Sequence, residues 1–232
     1  AVALGLHDPP YGIEAVKQTK QTMADGRAVA RTNGPHPGRS KRFKTAHTKP
    51  FAPIEGDRGP FDPSHVLPAT PRSILWGANN FAARLPDSKE WIVWDKREDM
   101  LSGSWSDAEL AWVSPDPDKG HVRTVRHKWS GVCRSREKGE QRLHPTIKPI
   151  FVQQQLVEWY SKPGDIVADW YMGAGAVLIA CEQSGRIGHG MDIAPAYLAA
   201  TLERLSARGL TPRREMADGE AIPATALQTV GA

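Results

Sequence analysis

The chain has 232 residues, with 30 Lys and Arg against 26 Asp and Glu, and a formal net charge of +4. This length suits one α/β domain with a full hydrophobic core, and the mild basic excess permits a polyanionic partner without demonstrating one. Two widely spaced cysteines, Cys133 and Cys181, exclude a disulfide framework and a zinc-binding pattern, so no metal site is expected.

The sequence shows no segment of the kind that enters a membrane. No apolar stretch approaches the roughly 20 residues needed to span a bilayer. No signal peptide is visible either, because Asp8 and two prolines interrupt the apolar start. We therefore expect a cytoplasmic protein without a membrane partner.

The first predicted strand, residues 1–6, is mostly apolar and runs into a proline turn. Residues 15–68 then change composition, and we predict a short helix followed by a long basic loop. Loops of such length in a compact domain are usually functional or disordered. The cations of this loop include Lys41, Arg42 and Lys44.

Three further strands are predicted at residues 73–77, 91–95 and 109–113. The last two are close enough in sequence to pair antiparallel. Residues 114–143 are polar and basic again, which predicts an inserted segment rather than part of the core. Its cations include Arg123, Arg126, Arg134 and Arg136.

The C-terminal half alternates helices and strands. Helices are predicted at 149–160, 176–184 and 194–208, and strands at 166–169, 187–193 and 213–216. This alternation predicts a parallel sheet with helices on both faces. Ligands of such sheets bind at the carboxyl ends of the strands.

One motif of chemical interest, Asp8-Pro9-Pro10-Tyr11, follows the first strand. Two prolines fix the backbone and remove two amide donors, so the local carbonyls and the Asp8 carboxylate can accept hydrogen bonds from an amino group. The Tyr11 ring offers a surface on which a planar base could stack. A rigid turn before a helix is the alternative interpretation.

A second motif is the Gly-rich turn of residues 169–175, between a strand and a helix. Gly173 and Gly175 let the backbone turn sharply and approach a ligand closely. The turn lacks the third glycine of a dinucleotide fingerprint and the Lys-Ser/Thr pair of a phosphate loop. Taken alone, it also fits a plain strand-to-helix turn.

Two more motifs flank this turn in the sequence. Asp192, at the end of the following strand, could bind a ribose diol, cap the next helix, or do both. Lys148, in the stretch His144-Pro145-Thr146-Ile147-Lys148-Pro149, could meet a carboxylate or be a solvated loop lysine.

In their order, the four motifs resemble those of the DNA amino-methyltransferases of the permuted beta class, which methylate adenine N6 or cytosine N4. That family has Asp-Pro-Pro-Tyr, a target-recognition segment, His-Pro-Thr-x-Lys-Pro, Phe-x-Gly-x-Gly and Gly-Ile-Glu in sequence. The resemblance covers nearly the whole chain except the basic loop and the tail. Tyr171, Ala174 and Asp192 depart from the usual Phe, Ser and Glu. The acid that usually follows the third strand has no clear copy, and Asp218 is a candidate by position only.

The resemblance implies a single domain over residues 1–232, with a doubly wound, mostly parallel, seven-stranded Rossmann-like methyltransferase sheet and target recognition inserted at 114–143. It implies Asp8, Pro9, Pro10 and Tyr11 as catalytic residues. The flipped base would lie against Tyr11 and its amine would donate to Asp8 and the Pro9 carbonyl. The implied cofactor is S-adenosylmethionine, with its methionine carboxylate near Lys148 and its ribose near Asp192. The implied cofactor-binding residues are Lys148, Asp169, Tyr171, Gly173, Gly175 and Asp192.

The implied partner is double-stranded DNA, the implied setting is a restriction–modification system, and a homodimer is considered. The DNA contacts would come from the cations of the two basic segments: Lys41, Arg42, Lys44, Arg123, Arg126, Arg134 and Arg136. The family usually places Asp before Pro-Pro-Tyr for adenine and Ser for cytosine, which favours adenine N6. Cytosine N4 methylation and a catalytically inactive DNA-binding relative stay open as alternatives. Protein glutamine methylation is disfavoured, because there the cofactor motif precedes the Pro-Pro motif.

Overall fold

The computed structural model describes residues 1–14, 54–97, 106–130, 133–134, 146–215 and 221–223. Its central feature is a seven-stranded sheet. In chain order the strands of that sheet are β1 (Val2–His7), β2 (Ser73–Trp76), β3 (Trp91–Asp95), β4 (Ala108–Val113), β5 (Val122–Arg126), β8 (Ile166–Asp169) and β9 (Ile187–Gly190). They lie in the order β5-β3-β4-β2-β1-β8-β9.

One strand runs against the others. Strand β4 pairs antiparallel with β2 and β3, whereas the remaining neighbours pair parallel. The prediction of a mostly parallel, seven-stranded sheet is confirmed, as is the antiparallel pairing of the second and third middle strands. Since β4 is reversed, its first residues lie at the same edge of the sheet as the last residues of β1, β2, β3 and β5.

The described residues after position 145 include three α-helices: α1 (Ile150–Tyr160), α2 (Ala176–Gln183) and α3 (Pro195–Ser206). Each begins and ends within two residues of its predicted bounds. Helices α1 and α2 pack against one face of the sheet, where they join its main hydrophobic core. In the described part of the chain, the opposite face is covered by short 3-10 turns, which lie between residues 63 and 84.

Side-chain alternation along the strands explains the two cores. Leu4 and Leu6 of β1 face the helices, as do Trp76 of β2 and Trp94 of β3. Residues of the other parity, such as Trp112 of β4, face the 3-10 turns. Successive side chains of a strand point to opposite faces, so each strand contributes to both cores and its register is firmly set.

Strand β5 lies within residues 114–143, where we predicted an inserted segment and no strand. Its sequence is Val122-Arg123-Thr124-Val125-Arg126, and Val125 is its one buried residue. An edge strand needs few apolar residues, since one edge and much of its surface face solvent. The polar composition therefore concealed it.

Other departures are local. The strand predicted at 187–193 ends at Gly190. The strand predicted at 213–216 is present as β10 (Arg213–Glu215), but it pairs with β11 (Ala221–Pro223) in a separate two-stranded sheet. A second small hairpin joins β6 (Trp129–Ser130) to β7 (Cys133–Arg134).

Candidate active site

The central strands β1 and β8 are neighbours, and the loops that follow their carboxyl ends enclose a cavity of about 540 Å³. Each of the four motifs contributes to its lining, through residues 8–11, Lys148, residues 169–174 and Asp192. A fifth segment, residues 54–62, forms another part of the wall. The sequence motifs thus meet in one place, at the strand ends where parallel sheets bind ligands.

Asp8 is the residue after β1, and the two oxygens of its carboxylate lie in different environments. Oδ2 accepts a hydrogen bond from Lys148 Nζ at 2.7 Å. Oδ1 is buried and has no hydrogen-bond partner within the described part of the chain. Burial raises the pKa of Asp8 to about 6, and the charge of Lys148 only partly offsets this effect. Asp8 lines the cavity, and its covered Oδ1 is an acceptor without a donor in the described part of the chain.

Lys148 is buried, with 4% of its side chain exposed, and lies between two acids. Its second partner is Glu109 of β4, whose Oε2 is 3.1 Å from Nζ. Burial opposes the charged form, but Asp8 and Glu109 outweigh it and raise the pKa of Lys148. The family resemblance implied that Lys148 lies near the methionine carboxylate of the cofactor. In the structure its ammonium pairs with two carboxylates of the chain itself, those of Asp8 and Glu109, at the wall of the cavity.

Glu109 is a site residue that sequence reasoning missed. Its Oε1 accepts from Lys96 Nζ at 2.7 Å, so the carboxylate lies between two lysines. Burial opposes ionisation, but the charges of Lys148 and Lys96 prevail and lower the pKa of Glu109 to about 2. One signal in the sequence could have identified Glu109. It is an acid near the start of an otherwise apolar strand, at the edge of the sheet where ligands bind.

Tyr11 packs its ring against Gly77, the residue after β2. Gly77 has a φ of +68°, and a Cβ there would lie 2.3 Å from Tyr11 Cε1, so no larger residue fits. The backbone beyond Tyr11 is anchored by buried Asp57, whose Oδ1 accepts from the amides of Gly12 and Ile13 at 2.9 and 3.0 Å. Burial also raises the pKa of Tyr11, which keeps its hydroxyl neutral.

Part of the predicted basic loop, including Asp57, lies in the site. Residues 15–68 were expected to form a long loop after a short helix. From residue 54 onward the segment lines the cavity and carries 3-10 turns at Pro63–His65 and Leu67–Ala69. No sequence motif marked Asp57, because its role depends on packing against residues 45 positions away.

The Gly-rich turn is held by hydrogen bonds from several directions. Asp169 Oδ1 accepts from the Tyr171 amide at 3.1 Å, within the turn itself. From α3, Thr201 Oγ1 donates to the Gly173 carbonyl and Arg204 Nη1 donates to the Ala174 carbonyl, both at 2.7 Å. Thr201 and Arg204 are buried, and neither was identified as a site residue from the sequence.

Gly175 needs the freedom of glycine for two reasons. Its φ is +70°, and a Cβ on it would lie 2.5 Å from Thr201 Cγ2. Helix α2 begins at the next residue, so this position joins the turn tightly to α2 and α3 together. Any larger residue would displace either the turn or Thr201.

Asp192 joins two loops of the site. Oδ2 accepts from the Gly173 amide at 2.9 Å, and Oδ1 accepts from the Ala194 amide at 2.8 Å, at the residue that precedes α3. The anticipated capping role is not present, because the N-cap residue of α3 is Ala194 and no side chain caps the helix. Asp192 instead holds the Ala194 amide two residues away. Each carboxylate oxygen has a further lone pair, so neither contact prevents Asp192 from accepting a ligand hydroxyl.

The aromatic residue of the turn, Tyr171, forms part of a ring cluster. Its hydroxyl is 2.7 Å from His65 Nε2, and its ring meets Phe61 edge to face with centroids 5.6 Å apart. The neighbouring Trp170 stacks on buried His7 at 5.0 Å. The hydroxyl that distinguishes tyrosine from phenylalanine at this position thus has a specific partner.

Asp169 lies at the end of β8, close to His7. Its Oδ1 is 3.8 Å from His7 Nδ1. Burial raises the pKa of Asp169 against the opposing influence of His7. The imidazole Nδ1 in turn accepts a hydrogen bond from the Trp170 amide at 3.2 Å, which fixes the ring orientation.

The predicted DNA-contacting cations are only partly described. Arg126 is 76% exposed at the carboxyl end of β5 and lies 3.9 Å from Asp95. Arg123 places its guanidinium over the ring of Trp159 of α1, with 5.2 Å to the centroid. Arg134 belongs to β7, but its side chain lies outside the described part. Outside it altogether are Lys41, Arg42, Lys44 and Arg136, together with Asp218.

Two searches of the described residues gave negative results. No group of three or more His, Cys, Asp or Glu side chains among them could hold a metal ion. No helix among them is both long and apolar enough to cross a membrane.

Residues 72–203 match the N6_N4_Mtase family, described as DNA methylase, and this match spans more than half of the chain. With the sheet and the cavity at its strand ends, the match shows that the chain belongs to this DNA methylase family. The family statement leaves adenine N6 and cytosine N4 as alternative targets.

Individual relatives are more distant. The chain is 24% identical over 144 residues to the type II methyltransferase M2.DpnII of Streptococcus pneumoniae, which is 60% of this chain and 52% of that protein. It is 39% identical over 66 residues to the putative methylase YubD of Escherichia coli K12, 28% of this chain and 29% of that protein. The chain spans about half the length of M2.DpnII, and less of YubD.

Among solved structures, the M1.HpyAVI–SAM complex aligns over 88% of each chain, with a TM-score of 0.48 and 17% identity. A similarity this distant carries no inference about individual residues. The fold described above therefore rests on the strand order and register of this chain.

Proposed function

We propose that this protein is an S-adenosylmethionine-dependent DNA methyltransferase that methylates an exocyclic amine, adenine N6, of a flipped base. The observation that carries the proposal is the Asp8 carboxylate. One of its oxygens is fixed by Lys148, and the other is buried without a partner beside the cavity that Asp8 lines together with the Gly-rich turn. A buried acceptor without a donor is costly unless a ligand supplies one.

The residues of the cavity fit the proposed cofactor. Its volume, about 540 Å³, is within the usual range for small-molecule sites. Asp169, Tyr171, Gly173 and Asp192 line the cavity and would hold the cofactor, with spare lone pairs on Asp192 available to ribose hydroxyls. Gly175 would contribute through the shape of the turn, because it packs against Thr201. When bound, S-adenosylmethionine supplies an electrophilic methyl group. Lys148 is assigned instead to the orientation of Asp8.

The chain's own residues would prepare the target amine. Asp8 Oδ1 would accept one N–H of the amine, and the Pro9 carbonyl would accept the other. These contacts favour a tetrahedral nitrogen with its lone pair directed at the methyl group. Tyr11 would support the base, and most of the rate would come from positioning and exclusion of water. No enzyme nucleophile is needed, which agrees with a buried Cys181 whose thiol pKa is raised by burial to about 12.

The order of the motifs supports the permuted beta class. The Asp8 motif on β1 comes before the Gly-rich turn after β8 in the sequence, although the two strands are neighbours in the sheet. We further propose that residues 114–143 read the target sequence on double-stranded DNA, with β5 as the part of this segment joined to the sheet. Light scattering would test the homodimer considered above.

Cytosine N4 methylation is the second candidate, because both targets present an amine to the same acceptors. Asp8, rather than Ser, before Pro-Pro-Tyr favours adenine through the family resemblance. The test is methylation of mixed-sequence DNA, followed by digestion to nucleosides and mass spectrometry. N6-methyl-2′-deoxyadenosine as the product supports the proposal, whereas N4-methyl-2′-deoxycytidine would make cytosine the target. If neither product forms and calorimetry detects no binding of S-adenosylmethionine, the protein is an inactive DNA-binding relative.

A further inference from the structure

The Asp8 carboxylate is one end of a line of alternating charges. Lys96, just after β3, binds Glu109 of β4 at 2.7 Å. Glu109 also binds Lys148, which precedes α1, at 3.1 Å. Lys148 then binds Asp8, after β1, at 2.7 Å. Four separate segments of the chain thus contribute one charge each, and the line leads from a partly exposed lysine to the proposed catalytic acid.

Lys148 has little freedom within this line. Its Nζ lies 5.6 Å from the centre of the Trp76 ring, in addition to its two carboxylate partners. The indole is itself fixed, because Nε1 donates to Gln153 Oε1 at 3.2 Å, and both groups are buried. A buried ammonium is stable only with such partners, so its position is determined by the fold.

This geometry determines what Asp8 presents to the cavity. Since Lys148 engages Oδ2, the carboxylate cannot rotate freely, and Oδ1 keeps one direction. Glu109 shares the same ammonium and limits how strongly Lys148 holds Asp8. A base amine would therefore meet an acceptor whose direction and basicity are both set from outside the Asp-Pro-Pro-Tyr motif.

We propose that Glu109 and Lys148 are positioning residues for Asp8. Lys148 fixes the carboxylate with Oδ1 directed at the target amine, and Glu109 limits the strength of the contact between Lys148 and Asp8. The proposal rests on the proposed function and deepens it. Neither residue contacts the base in this assignment. Both act through Asp8, so their removal should change how the rate depends on pH.

Among the residues that the structure describes, the charged and titratable groups that face Asp8 are Lys148, Glu109, Asp169 and Tyr11. Of these, Lys148 lowers the pKa of Asp8 and Glu109 raises it. Loss of the Lys148 charge should therefore raise the pKa of Asp8, and loss of the Glu109 charge should lower it. A merely structural role would not produce shifts of opposite sign.

The test measures methyl transfer against pH at saturating S-adenosylmethionine for wild type, Glu109→Gln and Lys148→Gln. We expect the acid limb of Glu109→Gln at lower pH than wild type, and that of Lys148→Gln at higher pH by about 1 unit or more. Glu158→Gln is the matched control, because it removes an exposed carboxylate of α1 and should leave the limb unchanged.

A direct titration separates the possible failures. The Asp8 carboxyl pKa can be followed by carbon NMR in the same variants, without turnover. Opposite shifts there support the inference even if wild type transfers no methyl group, which would overturn the proposed function alone. Unmoved or same-direction shifts in folded variants overturn the inference. If Lys148→Gln does not fold, Lys148→Arg should restore the wild-type limb, and Glu109→Gln still decides the sign.

Discussion

Asp192 and Gly173 are 19 residues apart, yet a hydrogen bond of 2.9 Å joins the aspartate Oδ2 to the glycine amide. The same carboxylate also accepts from the Ala194 amide through Oδ1. One side chain therefore ties the Gly-rich turn to the start of α3, beside the cavity. Its proposed contact with a ribose would add to this structural role.

We expect Asp192→Ala to weaken S-adenosylmethionine binding by about tenfold or more, because a charge-assisted hydrogen bond is worth roughly 1.5–3 kcal/mol. Asp192→Asn should lose less, since it retains one acceptor oxygen. Calorimetry with S-adenosylmethionine measures both. Wild-type affinity in the alanine variant would reject the ribose role.

Asp8→Asn should reduce methyl transfer by at least about 100-fold, the usual scale for losing a group that assists the reacting atom. The amide keeps the shape of the carboxylate but loses the charge that Lys148 holds. Cofactor affinity should change little, because Asp8 faces the amine. Asp87→Asn, at an exposed position, serves as the control. Normal turnover by Asp8→Asn would remove Asp8 from the mechanism.

The rate of wild-type methyl transfer should fall below about pH 6, where Asp8 becomes protonated. The sign follows from the role of Asp8, since the ionised carboxylate is the better acceptor and the raised pKa moves its loss to higher pH. A profile of rate against pH between 4.5 and 8, flanked by thermal unfolding checks at each value, measures this. A rate that stayed level down to about pH 4.5 would contradict the assignment.

Thr201→Val should destabilise the protein by about 1–3 kcal/mol and weaken cofactor binding. The substitution keeps the side-chain shape but leaves the Gly173 carbonyl without its buried donor. Thr211→Val, at an exposed position, is the matched control. Urea unfolding and calorimetry report the two effects. If both variants unfold at the same denaturant concentration as wild type, Thr201 does not support the turn.

Neutralising Lys41, Arg42 and Lys44 should weaken binding to all DNA sequences and flatten its salt dependence, as expected for phosphate contacts. Arg126→Ala should alter which site is preferred, since Arg126 is exposed at the carboxyl edge. Arg123→Ala should affect stability more than DNA binding, because its guanidinium packs on Trp159. Binding to a preferred and a scrambled duplex across a salt series distinguishes these effects. Wild-type binding by every variant would place the DNA elsewhere.

Periodicity and motif order predicted the sheet, the helices and the meeting of four motifs. These features depend on local sequence, which the turn at residues 169–175 and strand β8 illustrate. The supporting residues Asp57, Glu109 and Thr201 were missed because each acts through a partner distant in sequence. The ion pairs of Lys148 with Asp8 and Glu109 could not be predicted for the same reason, because both partners lie far away in the sequence.

The reversed direction of β4 links the register of this strand to the charges around Asp8. Glu109 reaches Lys148 from the beginning of β4, whereas the parallel strands β1 and β8 bring Asp8 and Asp169 to the site at their ends. A slip of β4 by one residue would turn Glu109 to the opposite face and bury Trp112 on the wrong side. The packing of the Trp112 indole therefore also keeps Glu109 on the face where it pairs with Lys148, and a slipped strand would remove a charge that raises the pKa of Asp8.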